Sequence, residues 1–330
     1  MSDIVLSSRV RLARNYEDLP FRGKITKEQS EECVQRTLNA LRSLPQPYSF
    51  LPLRGMEENE KRSLVEAHLI SPDLMEHEEE GAVLIRVDQK ISVMMNEEDH
   101  LRIQGFGHGE NMEEAAQMAF SIDDVLQSQL HFAFDNELGY LTACPTNAGT
   151  GLRASMMLHL PMLTLAKQMG KVNQLAAKLG LTLRGIYGEG SEAQGNLYQL
   201  SNQVTLGRTE KEMLDAVTAT ARQMAEMERA FRARLWDKDS IGMEDQLFRS
   251  FGLLTNARRM ASKEFMVHWS NLRLGAAMEK LPVSLQTCDQ LLTACQSAHV
   301  RKAAGAAISD KDEDAYRSEL IRKALTNGGS

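Results

Sequence analysis

The chain has 330 residues, 42% hydrophobic and 25% charged, and its net charge of −7 argues against a protein-wide basic field for nucleic acid. No apolar run approaches the roughly 18 residues of a membrane span, and the start, MSDIVLSSRV, lacks a signal-peptide pattern. The four cysteines form no CxxC pair, so we expect a cytoplasmic protein with no metal site of its own and no direct nucleic-acid or membrane partner.

Strands and helices alternate over the first 232 residues. Residues 3–13 alternate apolar and polar side chains, which predicts a strand with Ser7, Arg9 and Arg11 on one face. We expect helices at 27–43 and 57–69 after it, then a hairpin at 82–95 turning near 88–90, and a loop and strand from 96. A helix at 111–134 and a strand entering a loop at 140–147 follow. The last expected elements of this part are a turn, strand and helix within 153–179, a strand running into a glycine-rich loop within 181–190, and a helix at 209–234.

From residue 233 onward the pattern is almost wholly helical, with helix caps expected at Ser240, Ser262 and Ser284. We therefore expect two domains, 1–232 and 233–330, with the boundary inside or just after a long helix. The first fits the α+β class, with a mostly antiparallel sheet and helices to one side. The second fits a small helical bundle.

Several arginines are candidates for an anion site. Arg9 and Arg11 are two residues apart in a predicted strand, so both side chains face the same way. Two neighbouring guanidinium groups repel each other unless an anion lies between them, and their planar forks suit phosphate oxygens. Arg102, Arg153 and Arg184 each adjoin a carboxylate cluster or a glycine-rich turn. Taken singly, each of these arginines could equally be a solvated surface residue.

Residues 96–102, NEEDHLR, supply candidate carboxylates. Three acids in a row are often a solvated loop. If the segment is extended, Glu98, His100 and Arg102 share a face. A carboxylate beside an arginine-lined phosphate site could then hold a cationic acceptor and take its proton.

Two glycine-rich stretches complete the set. In CPTNAGTGLR, residues 144–153, successive N–H groups could cradle an anion. Cys144 is either a buried apolar thiol or a thiolate favoured by nearby hydroxyls and arginines. In RGIYGEG, residues 184–190, a buried-looking Arg184 and an acid lie in what could be a mobile lid or a plain loop. The phosphate-binding loop GxxxxGK[ST] and the protein-kinase signatures do not occur in the sequence.

Four blocks in this order resemble the phosphagen (guanidino) kinase family. They are SSRVR at 7–11, NEEDHLR at 96–102, CPTNAGTGLRAS at 144–155 and RGIYGE at 184–189. The resemblance implies transfer of a phosphoryl group from MgATP to a guanidinium nitrogen. Glu98 and Glu189 would hold and deprotonate the guanidinium, Cys144 would lie beside the acceptor nitrogen, and His68 would lie near the nucleotide. The arginines that would grip the phosphates are Arg9, Arg11, Arg102, Arg153 and Arg184.

Within this family the chain is most similar to the bacterial kinases that phosphorylate arginine in proteins. Only six residues precede SSRVR, and a helical segment follows the kinase part, so we expect an open site and a protein substrate. Those kinases carry an RDxxRA motif that reads phosphoarginine. Here Asp314 and Arg317 match it, whereas Glu313 and Ser318 depart from it.

The resemblance also implies partners: a zinc-finger activator, a heat-shock transcription repressor and a Clp ATPase that degrades the marked proteins under stress. The helical tail suggests a homodimer. Two other functions remain open at this point. One is a kinase for free arginine or a similar small guanidino compound, and the other is an inactive adaptor that binds phosphoarginine.

Overall fold

The computed structural model describes residues 3–186, 193–305 and 308–327. The strands are β1 (Val5–Arg14), β2 (Tyr48–Pro52), β3 (Ala82–Arg86), β4 (Ile91–Met95), β5 (Leu101–His108), β6 (Phe134–Asp135), β7 (Gly139–Tyr140), β8 (Leu152–His159), β9 (Leu181–Gly185) and β10 (Leu197–Asn202). Eight of them form one sheet in the order β2-β3-β4-β5-β1-β8-β10-β9, in which all neighbours are antiparallel, and β6 pairs with β7. The predicted antiparallel sheet is confirmed.

Helices pack against the sheet and form the carboxyl-terminal part. They are α1 (Lys27–Ala40), α2 (Glu58–Glu66), α3 (Pro72–Glu76), α4 (Met112–Gln127), α5 (Pro161–Leu165), α6 (Met169–Lys178), α7 (Glu210–Lys238), α8 (Ser240–Asn256), α9 (Ser262–Ala277), α10 (Leu285–Ala294), α11 (Ser297–Ala304) and α12 (Asp310–Asn327). In the described part of the chain, none of them has both the length and the apolar character that crossing a membrane requires.

The main core lies between the sheet and α1, α4, α6 and α7. Val10 and Leu12 of β1, which share the parity opposite to Arg9 and Arg11, are fully buried in it. The alternation read from the sequence therefore separates an apolar face from an arginine face. Gly105 of β5 lets α4 come close, because a Cβ there would collide with the backbone carbonyl of Ala115.

The prediction that helices lie to one side is incomplete. A second buried cluster contains Val83 and Ile85 of β3 and Met94 of β4. They pack against Leu69, which follows α2, and Leu74, which belongs to α3. Met94 pairs with Arg102 across the sheet, so this cluster covers the arginine face at one end. Strands β3 and β4 are apolar on both faces, and the second face needs its own cover.

Helix ends differ from the sequence-based expectation in places. The helix expected to reach residue 134 ends at Gln127, and the chain then forms the β6–β7 hairpin. Ser284 caps α10 as predicted, by accepting a hydrogen bond from Thr287 N at 3.0 Å. Ser240 and Ser262 are instead the first residues of α8 and α9, and Asp239 provides the cap of α8.

Candidate active site

Strand register brings the predicted arginines onto one face of the sheet. Arg11 on β1 lies directly opposite Arg153 on β8, and Ala13, two residues along β1, lies opposite Arg102 on β5. Arg9 projects from the same face of β1, where its guanidinium donates to Gln199 Oε1 at 3.2 Å. The central strands of the sheet therefore hold four guanidinium groups together without any contribution from loops.

Arg11 is at the centre of this group. Its Nε is buried and has no hydrogen-bond partner among the described residues. Burial, together with the charges of Arg9, Arg102 and Arg153, lowers the pKa of Arg11 well below its usual value. Burial also lowers the pKa of Arg153, and Arg184 adds to that effect. So many cations at short range leave a strong local preference for a polyanion.

A cavity of about 270 Å³ opens in front of these arginines. It brings residues from three of the four sequence blocks together, although they are as much as 142 positions apart. Its lining is Arg11, Ala13, Glu98, Arg102, Cys144, Thr146, Asn147, Gly151 and Arg153. The cavity thus brings a carboxylate and a thiol together with a cluster of guanidinium groups.

Glu98 stands at the edge of this cavity and contacts Arg102. Arg102 Nη2 lies 3.1 Å from Glu98 Oε2, and the Glu98 side chain is 39% exposed. Partial burial raises the pKa of Glu98, as do the charges of Asp99, Glu97 and Asp73, while Arg102 opposes the shift. A carboxylate with a raised pKa and access to solvent suits a group that accepts a proton during a reaction.

Glu97 is a residue that sequence reasoning missed. Its carboxylate is 1% exposed and accepts hydrogen bonds from Arg102, from the Ser71 hydroxyl and from the Glu98 backbone N at 2.8 Å. It fixes the direction of the Arg102 guanidinium. In a run of three acids, the residue type alone does not show which carboxylate is buried.

The loop and strand expected from residue 96 are present, whereas the extended arrangement that would align Glu98, His100 and Arg102 is not. Residues 96–100 form a turn with a positive φ of 59° at Asn96, and β5 begins only at Leu101. His100 therefore does not share the face of Glu98 and Arg102. Its buried ring accepts a hydrogen bond from Tyr16 N at 3.0 Å and lies 3.0 Å from the carbonyl oxygen of Pro20.

Asp99 ties this turn to the loop that carries Cys144. The buried Asp99 carboxylate accepts hydrogen bonds from Ala143 N and from Asn15 Nδ2, both at 2.7 Å. The residue just before Cys144 is thereby held beside the residue just after Glu98. This contact places the thiol and the carboxylate on the same cavity.

Cys144 is half-buried and lines the cavity, so it is not the buried apolar thiol that the sequence allowed. Its Sγ lies 3.0 Å from Thr146 Oγ1. Downstream, Gly149 and Gly151 adopt φ values of 106° and 65°. A Cβ at Gly151 would approach Ala13 O to 2.7 Å, so glycine is needed where the loop returns to the sheet.

His68 follows α2 and has a positive φ of 59°. Its backbone oxygen accepts a hydrogen bond at 3.2 Å from Gln104, which projects from the same face of β5 as Arg102. Burial lowers the pKa of His68 to about 4, and Arg9 and Arg11 contribute to the shift. The imidazole is therefore neutral at physiological pH and lies beside the two arginines of β1.

The fourth block contributes two predicted site residues, Arg184 and Glu189, and neither is among the described residues that line this cavity. Arg184 on β9 lies opposite Gln199 of β10, on the arginine face, but it is exposed. The expectation of a buried arginine was therefore wrong, because β9 is the edge strand of the sheet. Glu189 lies outside the described residues.

The candidate phosphoarginine-binding residues belong to α12, in the helical part. Arg317 is fully buried, and its nitrogens donate to Cys295 O at 2.8 Å, Met260 O at 2.9 Å and Asp314 Oδ1 at 2.7 Å. Its remaining edge contacts the Glu313 carboxylate. In this structure Arg317 therefore has intramolecular partners on every side.

The sequence matches two family descriptions. Residues 29–231 match the ATP:guanido phosphotransferase, C-terminal catalytic domain, and residues 240–329 match the protein-arginine kinase McsB C-terminal domain. Among curated relatives, the protein-arginine kinase of Caldanaerobacter subterraneus subsp. tengcongensis is 41% identical over 327 residues, covering 98% of this chain and 97% of the relative. That of Brevibacillus brevis is 44% identical over 330 residues, covering 98% and 92%.

Solved structures of guanidino kinases have a similar fold. The crystal structure of lombricine kinase aligns with a TM-score of 0.62 at 25% identity, covering 71% of this chain and 68% of that one. The duplicated taurocyamine kinase from Schistosoma mansoni with bound transition state analog components aligns with a TM-score of 0.63 at 26% identity, covering 79% of this chain and 38% of that one.

Proposed function

The chain belongs to the protein-arginine kinases of the ATP:guanido phosphotransferase family, and on that premise we propose how its residues bind ATP and a protein arginine. The observation that carries the proposal is the cavity that Arg11, Arg102 and Arg153 share with Glu98 and Cys144. A polyanion is attracted to the arginines, and a cationic guanidinium to the carboxylate.

The phosphate side would consist of Arg9, Arg11, Arg102, Arg153 and Arg184, with the neutral His68 near the nucleotide. Mg²⁺ would enter with ATP, because this ion is commonly held by substrate phosphates and water together with few protein ligands. In the part of the chain that the structure describes, no group of three or more His, Cys, Asp or Glu residues could hold a metal. The arginines and the ion would spread the charge that develops on the transferred group.

The acceptor side would consist of Glu98 and Glu189, with Cys144 beside the acceptor nitrogen. A guanidinium is a poor nucleophile, because its pKa is above 12 and its lone pairs are delocalised. Glu98 would accept one N–H proton as the nitrogen attacks the γ-phosphorus. The bond to the β,γ-bridging oxygen then breaks, that oxygen keeps the electron pair, and ADP leaves. Positioning of this kind can supply several kcal/mol of the barrier reduction.

Incubation of the purified protein with ATP and either a denatured protein or free arginine tests the proposal, with mass spectrometry under non-acidic conditions. We expect acid-labile phosphate on arginine side chains of the protein. Glu98→Gln should lower kcat by about 100-fold or more and leave ATP binding largely intact. Full turnover by this variant would remove Glu98 as the base, and phosphate on free arginine alone would favour the small-molecule alternative.

Further proposals follow from the carboxyl-terminal match. We propose that residues 1–232 form the catalytic domain and 233–330 a helical domain that can pair as a homodimer and whose Asp314 and Arg317 read phosphoarginine. For that reading, the Glu313 carboxylate would have to leave Arg317. We also propose a cytoplasmic stress role with a zinc-finger activator, a heat-shock transcription repressor and a Clp ATPase as partners. Calorimetry with phosphoarginine and co-purification from stressed cells would test these points.

A further inference from the structure

The helical part contacts the catalytic part next to the nucleotide site. Helix α11 lies against α2, and the contact is made by two α2 residues separated by about two helical turns. Asn59 Nδ2 donates to Ala298 O at 3.1 Å, and the Glu66 carboxylate accepts hydrogen bonds from Ala298 N at 2.8 Å and His299 N at 3.1 Å. Two separated helices of the chain are thus joined through side chains on one and backbone on the other.

Glu66 acts as a cap supplied by another helix. The residue before α11, Gln296, makes no side-chain cap of its own. The first N–H groups of a helix have no partner within it and carry partial positive charge, so a carboxylate there is favourable. Glu66 also lies 2.8 Å from His299 Nδ1. One carboxylate therefore makes three contacts with the beginning of α11, and it is only partly exposed, at 19%.

The same carboxylate is two residues from His68. Helix α2 ends at Glu66, and His68 N donates to Val65 O at 2.9 Å while Leu69 N donates to Leu64 O at 2.9 Å. These bonds close the helix end tightly around the left-handed His68 backbone. A shift of α2 would therefore be passed directly to the imidazole that lies beside Arg9 and Arg11.

We propose that Glu66 is a positioning residue through which the carboxyl-terminal helical part sets the affinity of the catalytic part for ATP. When Glu66 holds α11, α2 is fixed and His68 stays beside the phosphate-binding arginines. When the contact is lost, α2 keeps its packing against the small cluster under β3 and β4 and the ion pair between Lys61 and Glu78, but no contact with the helical part through Glu66. The inference rests on the proposed nucleotide site, because His68 matters only if ATP binds there.

Equilibrium titration of the full-length protein with a fluorescent ATP analogue tests the inference, together with KM for ATP and kcat. Glu66→Ala and His299→Ala should each weaken nucleotide binding about five-fold or more, and kcat at saturating ATP should change less than two-fold. Glu60→Gln is the matched control, since Glu60 is an exposed acid on the same helix. It should bind ATP like the wild type.

Circular dichroism and thermal unfolding show whether each variant is folded. If Glu66→Ala does not fold, Asn59→Ala replaces it in the titration, because it removes only one neutral hydrogen bond between α2 and α11. We expect the double variant Glu66→Ala/His299→Ala to lose no more affinity than the weaker-binding single variant. Equal ATP affinity in Glu66→Ala and Glu60→Gln would overturn this inference and leave the proposed nucleotide site standing. A wild type that does not bind the analogue would overturn the proposed nucleotide site and the inference with it.

Discussion

Arg11 lies in a buried environment that is unfavourable for a positive charge when no anion is bound. Its Nε is buried without a partner among the described residues, and three other arginines lie close enough to lower its pKa. An uncompensated buried charge costs free energy of folding. The proposed role of Arg11 in binding the phosphates of ATP accounts for a guanidinium that does not serve the stability of the sheet.

We expect Arg11→Met to abolish activity without loss of stability. Methionine keeps most of the side-chain volume and removes the repulsion, so the free energy of unfolding should stay constant or rise by about 1 kcal/mol. Denaturant unfolding and a kinase assay on the same sample check both parts. Arg234→Met, at an exposed position on α7, should change neither quantity. A clear loss of stability in Arg11→Met would show that the guanidinium supports the fold.

The pH dependence of the reaction should report on Glu98. Its pKa is raised by burial and by neighbouring acids, one of which is Asp73. A base must be deprotonated to act, so activity should rise with pH through the pKa of Glu98 and fall below it. Asp73→Asn removes a negative neighbour and should lower that pKa, which moves the acidic limb of kcat/KM to lower pH.

The profile of kcat/KM against pH, measured for the wild type and for Asp73→Asn, checks this expectation. Glu264→Gln changes the net charge equally at an exposed site on α9 and should leave the limb in place. An acidic limb that does not move, or that moves equally in both variants, would count against Glu98 as the titrating base.

At the scale of elements, Arg14 and Asp123 connect β1, α4 and the Cys144 loop. The Arg14 guanidinium donates to Asp123 Oδ1 at 3.0 Å and Oδ2 at 2.7 Å, and it also donates to Thr150 O at 3.0 Å. Both partners of the pair are almost fully buried, with side chains 1% and 5% exposed. The Arg14 side chain also stacks on Tyr140, with its Cζ 3.6 Å from the ring centre.

Asp123→Ala should therefore destabilise the protein by about 3–5 kcal/mol, because it leaves a buried guanidinium unpaired. Arg14→Met/Asp123→Leu should recover much of that loss, since it removes both charges and retains apolar volume. Thermal or denaturant unfolding measures both. If the double variant is as unstable as the single one, the role of Arg14 in holding Thr150 outweighs the electrostatic cost.

The elements that sequence alone could predict are those with a clear local pattern. Alternation predicted β1 and its arginine face, and the β3–β4 hairpin follows from two apolar strands around residues 88–90. The loop expected from residue 96 is the turn at 96–100, but its conformation could not be predicted, because it depends on the left-handed backbone of Asn96 and on contacts of Asp99 with residues far along the chain. Helix α4 was predicted too long, since Phe132 continues the apolar pattern but bridges to Tyr16 instead.

At the scale of the whole molecule, the helical part is not an independent appendage. Its core around Phe265 and Trp269 includes Leu6, which precedes Arg9 on β1, and Leu197 of β10. Helix α7 runs without interruption across residue 232. The sequence indicated a change of composition at this point. The sequence could not show that a single hydrophobic core includes residues from both sides of residue 232, because that depends on which faces of distant helices and strands pack together.

The surface of the helical part exposes several large apolar side chains. Ile241 and Phe248, one heptad apart on α8, are 80% and 51% exposed, and Val267 of α9 is 59% exposed. Large apolar side chains exposed together on one helix face are typical of association surfaces. The spacing of Ile241 and Phe248 puts both on one face of α8, which supports the proposed homodimer and gives it a candidate face.

We expect Ile241→Asp/Phe248→Asp to convert the proposed dimer to a monomer, because two carboxylates on each copy would be desolvated at the interface. Size-exclusion chromatography with light scattering measures the mass at several concentrations. The matched control is Leu165→Asp, which changes a residue that is 57% exposed on α5 of the catalytic part and should leave the dimer intact. A wild type that elutes as a monomer at all concentrations would contradict the proposed homodimer, and a double variant that still dimerises would place the interface elsewhere.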